Sequence, residues 1–277
     1  MDLSTLQGSG PGGRIVKKDV EGAQPGAAVA PAPVAAQAAP SAAQAAAPTA
    51  GGRREPLSSM RKAIARKMVE AKAPIPHFQV TMEVNMEAAM ALRAQINEGL
   101  EKADRISVND MVVKAAAIAL VKHPNLNAQF QGDALFYPDT IAISVAVSTP
   151  NGLIAPDIHD ADKKSIGTIG KEIKDKAGRA RDGKLNPDEY GRGTFTVSNL
   201  GMYGVEEFNA IITAPQSAAM AIGGVRAVPV VKDGQIVPGQ VMKFTVSADH
   251  RVTDGAVNAE FCVEVKNLLE NPMRLLI

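Results

Sequence analysis

The spacing of apolar positions along residues 53–277 changes from segment to segment, and each period predicts an element. In "PLSSMRKAIARKMVEAK", Leu57, Met60, Ile64 and Met68 recur at helical spacing, with Arg61, Lys62, Arg66 and Lys67 on the other sides. "HFQVTMEVNM" alternates Phe78, Val80, Met82 and Val84, the two-residue period of a half-buried strand. "MEAAMALRAQINEGL" returns to the helical period, and "SVNDMVVKAAAIALVKHP" predicts a second, strongly apolar helix stopped by Pro124. "TIAISVAVSTPNGLIAPDI" reads as two strands around a Pro150-Asn151-Gly152 turn. "SIGTIGKEIKDKAGRARDGKL" is helical with a polar outer face, and "GTFTVSNLG" is a strand ending in a turn. "PQSAAMAIGGVRAVPVV" and "VMKFTVSADHRV" are strands joined through Lys232-Asp233-Gly234-Gln235. The closing helix, "DGAVNAEFCVEVKNLLENP", sets Val257, Phe261, Val265 and Leu268 on one face. Helices and strands interleave without internal repeats, which predicts an α/β or α+β class.

The pattern lapses before residue 53. From Ala23 to Gly52 the chain reads "AQPGAAVAPAPVAAQAAPSAAQAAAPTAGG", with neither charge nor aromatic residue. Proline recurs too often for a helix, and alanine buries too little surface to offset the entropy of ordering. A semi-extended tether is expected, and at about 3 Å per residue some thirty residues reach on the order of 90 Å. In the amino-terminal piece, residues 1–22, Gly8, Gly10 and Gly13 match the G-x-G-x-x-G dinucleotide spacing. That fingerprint needs a strand before it and a helix within a longer unit after it. Neither fits here, so the match is read as a glycine-rich turn. So short a piece encloses no core of its own and is expected to be part of something larger.

Composition narrows the function classes. The formal net charge is +1 over 277 residues, too weak to draw nucleic acid or an anionic membrane by its overall field. Aromatic residues make up 4%, which argues against stacking platforms for single strands. No apolar run reaches the roughly 18–20 residues of a membrane span, and the amino end lacks the order of a signal peptide. One cysteine, Cys262, permits no internal disulfide and points to a reducing compartment. The cytoplasm is expected, or the mitochondrial matrix in a eukaryote.

Chemistry gathers near the carboxyl end, in "VSADHRVTDGAV". The histidines, His77, His123, His159 and His250, are too scattered for the closely paired ligands of a zinc site, so no metal is expected. There is neither a G-x-S-x-G elbow nor a phosphate-binding G-x-x-x-x-G-K-[ST] loop. His250 closes an apolar strand, and Gly255 is expected to let the chain turn sharply into the last helix. Proton transfer suits such a histidine if it sits in a dry pocket beside a reacting thiol or hydroxyl. Helix capping by Asp254, with His250 a partly buried polar residue, accounts for the same pattern.

"DHRVTDGA", Asp249–Ala256, resembles the signature of the dihydrolipoamide acyltransferases, the core subunits of 2-oxo acid dehydrogenase complexes. "PLSSMRKAIARKM", "PHFQVTMEV", "ISVNDMVVKAAAIAL", "TPNGLIAPDI", "GKLNPDEYGRGTFTVSNLGMYGVEEFNAII", "APQSAAMAIG" and the ending "NPMRLLI" match in the family's order, across essentially all of residues 53–277. The details are most similar to the acetyl-transferring members of pyruvate dehydrogenase complexes. The resemblance implies an α/β two-layer sandwich with a mixed sheet, of the chloramphenicol-acetyltransferase type. "DLSTLQGSGPGGRIVKKDV" resembles the second half of the family's peripheral-subunit-binding domain. Three parts follow: a partial binding domain at 1–22, the linker at 23–52 and the catalytic domain at 53–277. The binding domain's first helix, and a lipoyl domain, are expected to belong to a longer parent chain.

By the same resemblance His250 is the general base that takes a proton from coenzyme A and returns it to the departing lipoyl thiolate. Ser198 is the oxyanion donor, with Asn199 and Gly201 shaping its turn; a hydroxyl capping that turn is the plainer alternative for Ser198. Asp254 holds the loop, with Arg61 as its partner, although some relatives carry Asn there. Gly255 and Arg61 complete the expected binding set. Ser148 stands where some relatives have an Asp, which puts that contact with the serine in doubt. The substrate is coenzyme A, and the lipoyl group comes from a domain outside this chain. The resemblance further implies a homotrimer with sites between subunits, joining into a cubic or dodecahedral core partly through Met273, Leu275, Leu276 and Ile277. Arg14, Lys17 and Lys18 are expected to meet acidic patches on the decarboxylase-dehydrogenase or dihydrolipoamide dehydrogenase partners, weakly because half the domain is absent. Three rivals stay open: a scaffold without catalysis, a different acyl group (succinyl or branched-chain), and a chloramphenicol-type hydroxyl acceptor.

Overall fold

In a computed structural model, residues 9–10, 14–18 and 51–277 except Asn151 are described, and the chain divides into two units, Met1–Glu55 and Pro56–Ile277. In the first unit, Gly10 N–H donates to Arg14 O at 2.9 Å, and Lys17 and Lys18 are helical and exposed. Gly8, Gly13 and residues 23–50 of the expected linker lie outside the described residues.

The second unit is organised by β11, Gln235–Asp249, a 15-residue strand. Its sheet runs β1-β11-β9-β8-β4-β7, and β10 also pairs with β11. The strands are β1 (His77–Asn85), β4 (Ile143–Val145), β7 (Asp157–Ile158), β8 (Phe195–Asn199), β9 (Ala218–Ile222) and β10 (Arg226–Lys232). Pairing of β8 with β4 and with β9 is parallel, and the other pairs are antiparallel, so the sheet is mixed. The expected two-layer α/β architecture is what the chain adopts.

Helices α2 (Glu87–Asn97), α3 (Val108–Lys122), α4 (Ile166–Arg181) and α5 (Gly255–Glu270) pack among themselves and against the sheet. Val84, Phe244, Val246 and Met220 from the strands meet Met111, Ala115, Phe261 and Val265 from the helices in one apolar core. Fully burying a side chain such as Phe195, Phe244 or Phe261 contributes about 1.5–3 kcal/mol each. Helix α3 starts with a reciprocal capping box between Ser107 and Asp110, and its polar exceptions Asp110 and Lys114 are themselves buried. Burial pushes the Asp110 carboxyl up, against the pull of its Ser107 hydrogen bonds.

Three expectations change. "TIAISVAVSTPNGLIAPDI" forms four short strands, because the chain leaves the main sheet after β4 and β5 (Val147–Thr149) pairs back on β6 (Gly152–Ile154) before β7 rejoins. "PQSAAMAIGGVRAVPVV" breaks at Gly223 and Gly224, where backbone from another segment crowds in: a Cβ on Gly223 would stand 1.9 Å from Glu206 O. Helix α1 (Ser59–Lys72) forms, capped by Ser58, but Leu57 and Met60 are exposed and only Ala71 of the helix is buried. A small hairpin, β2 (Gln129–Phe130) with β3 (Leu135–Phe136), was unanticipated. The turn joining β10 to β11 is as expected, with Asp233 and Gly234 both at positive φ, the twist a tight hairpin needs.

Candidate active site

Strand β8 delivers Ser198 and Asn199 to the wall of a cavity of about 860 Å³. Val145, Val147, Leu153, Ile173 and Leu200 make much of that wall apolar, and Ser148 shares it. Two cations reach the cavity: Arg181, which is exposed, and Lys174, whose ammonium donates to Ala103 O and Arg105 O. Among the described residues no protein group is hydrogen-bonded to the Ser198 hydroxyl. The turn after it is held by its neighbour: Asn199 Oδ1 accepts from Gly201 N at 2.8 Å. Asn199 Nδ2 donates to Asn109 Oδ1 at 3.2 Å. Turn capping is therefore the work of Asn199, and the serine oxygen is left free to act.

Gly201 is required by close packing. A Cβ there would lie 2.8 Å from both Gly223 O and Gly224 Cα, and Gly224 N–H donates to Val205 O in the same contact. This fixes the segment behind Ser198 against the start of β10.

His250 follows the last residue of β11 and is exposed in the single chain, outside the cavity of Ser198. Its backbone N–H donates to Pro76 O, and its ring stands 4.7 Å from the Phe78 ring. One chain by itself leaves the imidazole open. The residues flanking it are bound to each other instead. Asp249, 2% exposed, accepts from Arg251 N, Nε and Nη2 at 2.9, 3.0 and 2.7 Å. The guanidinium also lies 4.2 Å from the centroid of Phe130. By accepting those hydrogen bonds Asp249 raises the Arg251 pKa above its usual value.

Asp254 caps α5, its Oδ1 accepting from Ala256 N and Val257 N at 2.9 and 3.0 Å. Among the described residues no ion pair joins it to Arg61, which is exposed on α1. Gly255 starts α5 with an ordinary backbone, and a Cβ there would meet nothing within 4 Å. The chain turns at Asp254, in extended conformation, so the expected glycine requirement at 255 does not hold.

Ser198 and His250 are not brought together within one chain. Ser198, Ala221 and Thr245 stand in one row across β8, β9 and β11. His250 lies five residues beyond Thr245, at the opposite end of the sheet. At about 3.4 Å per residue and about 4.8 Å per strand spacing, the two residues are roughly 20 Å apart.

At the carboxyl end Leu275 is buried in its own subunit's core, whereas Met273, Leu276 and Ile277 are exposed. Among the described residues no cluster of three or more His, Cys, Asp or Glu could hold a metal ion, and no helix is long and apolar enough to cross a membrane.

Residues 49–277 match the family model for the catalytic domain of the 2-oxoacid dehydrogenases acyltransferases. The chain belongs to this acyltransferase family. Residues 1–21 match the model of the e3 binding domain. A curated relative of this acyltransferase chain is the dihydrolipoyllysine-residue acetyltransferase component of the pyruvate dehydrogenase complex of Rickettsia prowazekii. It is 41% identical over 277 residues, covering 99% of this chain and 65% of the relative. The chain thus spans just under two thirds of that protein's length. Among solved structures, Azotobacter vinelandii dihydrolipoamide acetyltransferase, described for the roles of a serine, a histidine and an asparagine in its mechanism, superposes with a TM-score of 0.77. It is 29% identical, covering 81% of this chain and 94% of its own. The cubic core of a pyruvate dehydrogenase multienzyme complex superposes equally, at 0.77 and 28% identity, over the same shares.

Two features of this acyltransferase domain escaped the sequence reading. Asn109 lies in the first turn of α3, and its partner Asn199 is ninety positions away. The Asp249–Arg251 pair read as charges flanking His250.

Proposed function

We propose that the chain transfers an acetyl group between the sulfur of dihydrolipoamide and that of coenzyme A, at a site built from Ser198 of one subunit and His250 of its neighbour. The reading is carried by the opposed placement of those two residues. The serine hydroxyl is unengaged at a cavity wall, and the imidazole is exposed at the far end of the same sheet, so each is open to a second copy. A heterologous contact around a closed ring gives every subunit both halves of a site, which suits a trimer. Further support comes from the Azotobacter protein. Its named serine and histidine are fifty-two positions apart and its asparagine four further on, the separations of Ser198, His250 and Asp254 here.

In this scheme the imidazole takes the proton of the incoming thiol, which at its usual pKa of about 8.5 is mostly protonated at neutral pH. The thiolate attacks the thioester carbonyl carbon, and the Ser198 hydroxyl donates to the resulting oxyanion. Collapse expels the second sulfur as thiolate, which takes the proton back from the imidazolium. One thioester replaces another, so the reaction runs in either direction. Asp254 serves through its cap. Asparagine in the corresponding place of the relative offers the same acceptor oxygen without charge, which supports a structural role for this residue.

Assembly into a larger core, with Met273, Leu276 and Ile277 covered by neighbours, belongs to the same proposal, as do the parts at 1–22, 23–52 and 53–277. So does docking of peripheral enzymes through Arg14, Lys17 and Lys18. The test is acetyl transfer from acetyl-CoA to free dihydrolipoamide. His250→Ala is expected to lose about 10²–10⁴-fold in kcat; near-normal turnover would remove the mechanism.

A further inference from the structure

We infer that Asn109 turns its side-chain NH2 into the Ser198 cavity as the donor for the amide carbonyl of a thiol-bearing arm. This rests on the acetyl-transfer reading and adds a substrate contact to it. The polarity of the Asn109–Asn199 pair is fixed from one end. Gly201 N–H can only donate, so the Asn199 atom 2.8 Å from it is Oδ1. The atom that Asn199 turns toward Asn109 is then its NH2, which also only donates, and Asn109 Oδ1 receives it at 3.2 Å. That contact occupies the Asn109 oxygen, while the Asn109 NH2 has no acceptor among the described residues.

The setting makes this donor specific. Asn109 lies in the first turn of α3, held by the Ser107–Asp110 capping box, so the side chain starts from a rigid base. It lines the cavity that Ser198 lines, where Val145, Val147, Leu153 and Ile173 make much of the wall apolar. A half-buried NH2 facing such a space selects an arm that brings a carbonyl oxygen to it. Both thiols of the proposed reaction carry one: lipoamide has a carboxamide at the end of its chain, and the pantetheine arm of coenzyme A has two amides.

Steady-state kinetics on the wild type, Asn109→Asp and Asn109→Ala, each with dihydrolipoamide and coenzyme A varied in turn, tests this. Asn109→Asp keeps an oxygen for Asn199, so the serine turn stays held, but it replaces the inward donor by an acceptor. It is expected to lower kcat/KM about 10- to 100-fold for one thiol only, mostly through KM, as when a polar group loses its partner. Loss with dihydrolipoamide assigns the cavity to the lipoyl arm, and loss with coenzyme A assigns it to pantetheine. Replacing the affected thiol by one without an amide, such as 1,3-propanedithiol for dihydrolipoamide, should abolish the difference from wild type. Asn109→Ala loses both hydrogen bonds, so its kcat falls with every thiol, yet the additional penalty must again appear only with the amide-bearing one. Values within twofold of wild type for both thiols, or an equal loss with and without the amide, would overturn the assignment. Absence of acetyl transfer by the wild type would instead overturn the reaction itself.

Discussion

Replacing Arg251 by methionine removes the cation that faces a carboxylate with 2% of its surface exposed. Asp249 would keep only the hydrogen bond from the backbone N–H of residue 251, at 2.9 Å, and lose those from Nε at 3.0 and 3.2 Å and Nη2 at 2.7 Å. Breaking a fully buried ion pair costs about 3–5 kcal/mol, whereas an exposed one is worth about 0.2–1. The Arg251 side chain is 32% exposed, which places this pair between those limits, at about 2 kcal/mol. Loss of the guanidinium over Phe130, at 4.2 Å, adds about 0.5–1 kcal/mol. For a domain of this size about 2–3 kcal/mol lowers Tm by roughly 5–10 °C. Far-UV circular dichroism melts, at matched protein concentration because assembly also moves Tm, would read it. Arg251→Lys should recover part of the loss, keeping the charge but not the fork. The double variant Asp249→Asn with Arg251→Met should be milder than Arg251→Met alone, because no charge is left uncompensated. A single variant melting within 1 °C or so of wild type would refute the reasoning.

Asp254→Asn should keep both stability and turnover close to wild type, while Asp254→Ala costs about 1 kcal/mol by leaving Ala256 N and Val257 N uncapped; equal damage from the two would assign the charge a role. Glu189 has a carboxyl held down to about 2 by the Arg179 guanidinium and the Asn186 N–H, which ties residues 187–189 to α4 at the cavity wall. A depressed carboxyl stabilises fully above its unfolded pKa, near 4.5 here. The Tm advantage of wild type over Glu189→Gln should therefore be constant above about pH 5 and shrink as pH falls toward 2. An advantage unchanged between pH 6 and pH 3 would contradict the assignment.

The elements whose burial is one-sided were legible from the chain alone. Val84, Phe244 and Phe261 fall where period two or period 3.6 puts them, because a single packed face dictates both patterns. The break at Gly223 and Gly224 was not legible: it is imposed by Glu206 O and Gly201, which the local apolar run does not encode. Helix α1 shows the converse. Its stripe of Leu57, Met60, Ile64 and Met68 is real in the sequence, yet its own chain leaves Leu57 and Met60 exposed and covers Ile64 and Met68 only in part. Of the site, Ser198 and His250 stood out through the motifs around them. What escaped were their supports, Asn109 for the serine turn and Arg251 with Phe130 beside the histidine, since each pairing joins elements that only the fold brings together.

The claim that serine and histidine act from different subunits is tested most directly by subunit mixing. Ser198→Ala and His250→Ala proteins, each nearly inactive, would be unfolded, combined in equal amounts and refolded together, and acetyl transfer to dihydrolipoamide measured. Because each site needs an intact serine from one subunit and an intact histidine from the next, random mixing predicts recovery to about a quarter of wild-type activity. Mixed particles no more active than either parent would contradict the account.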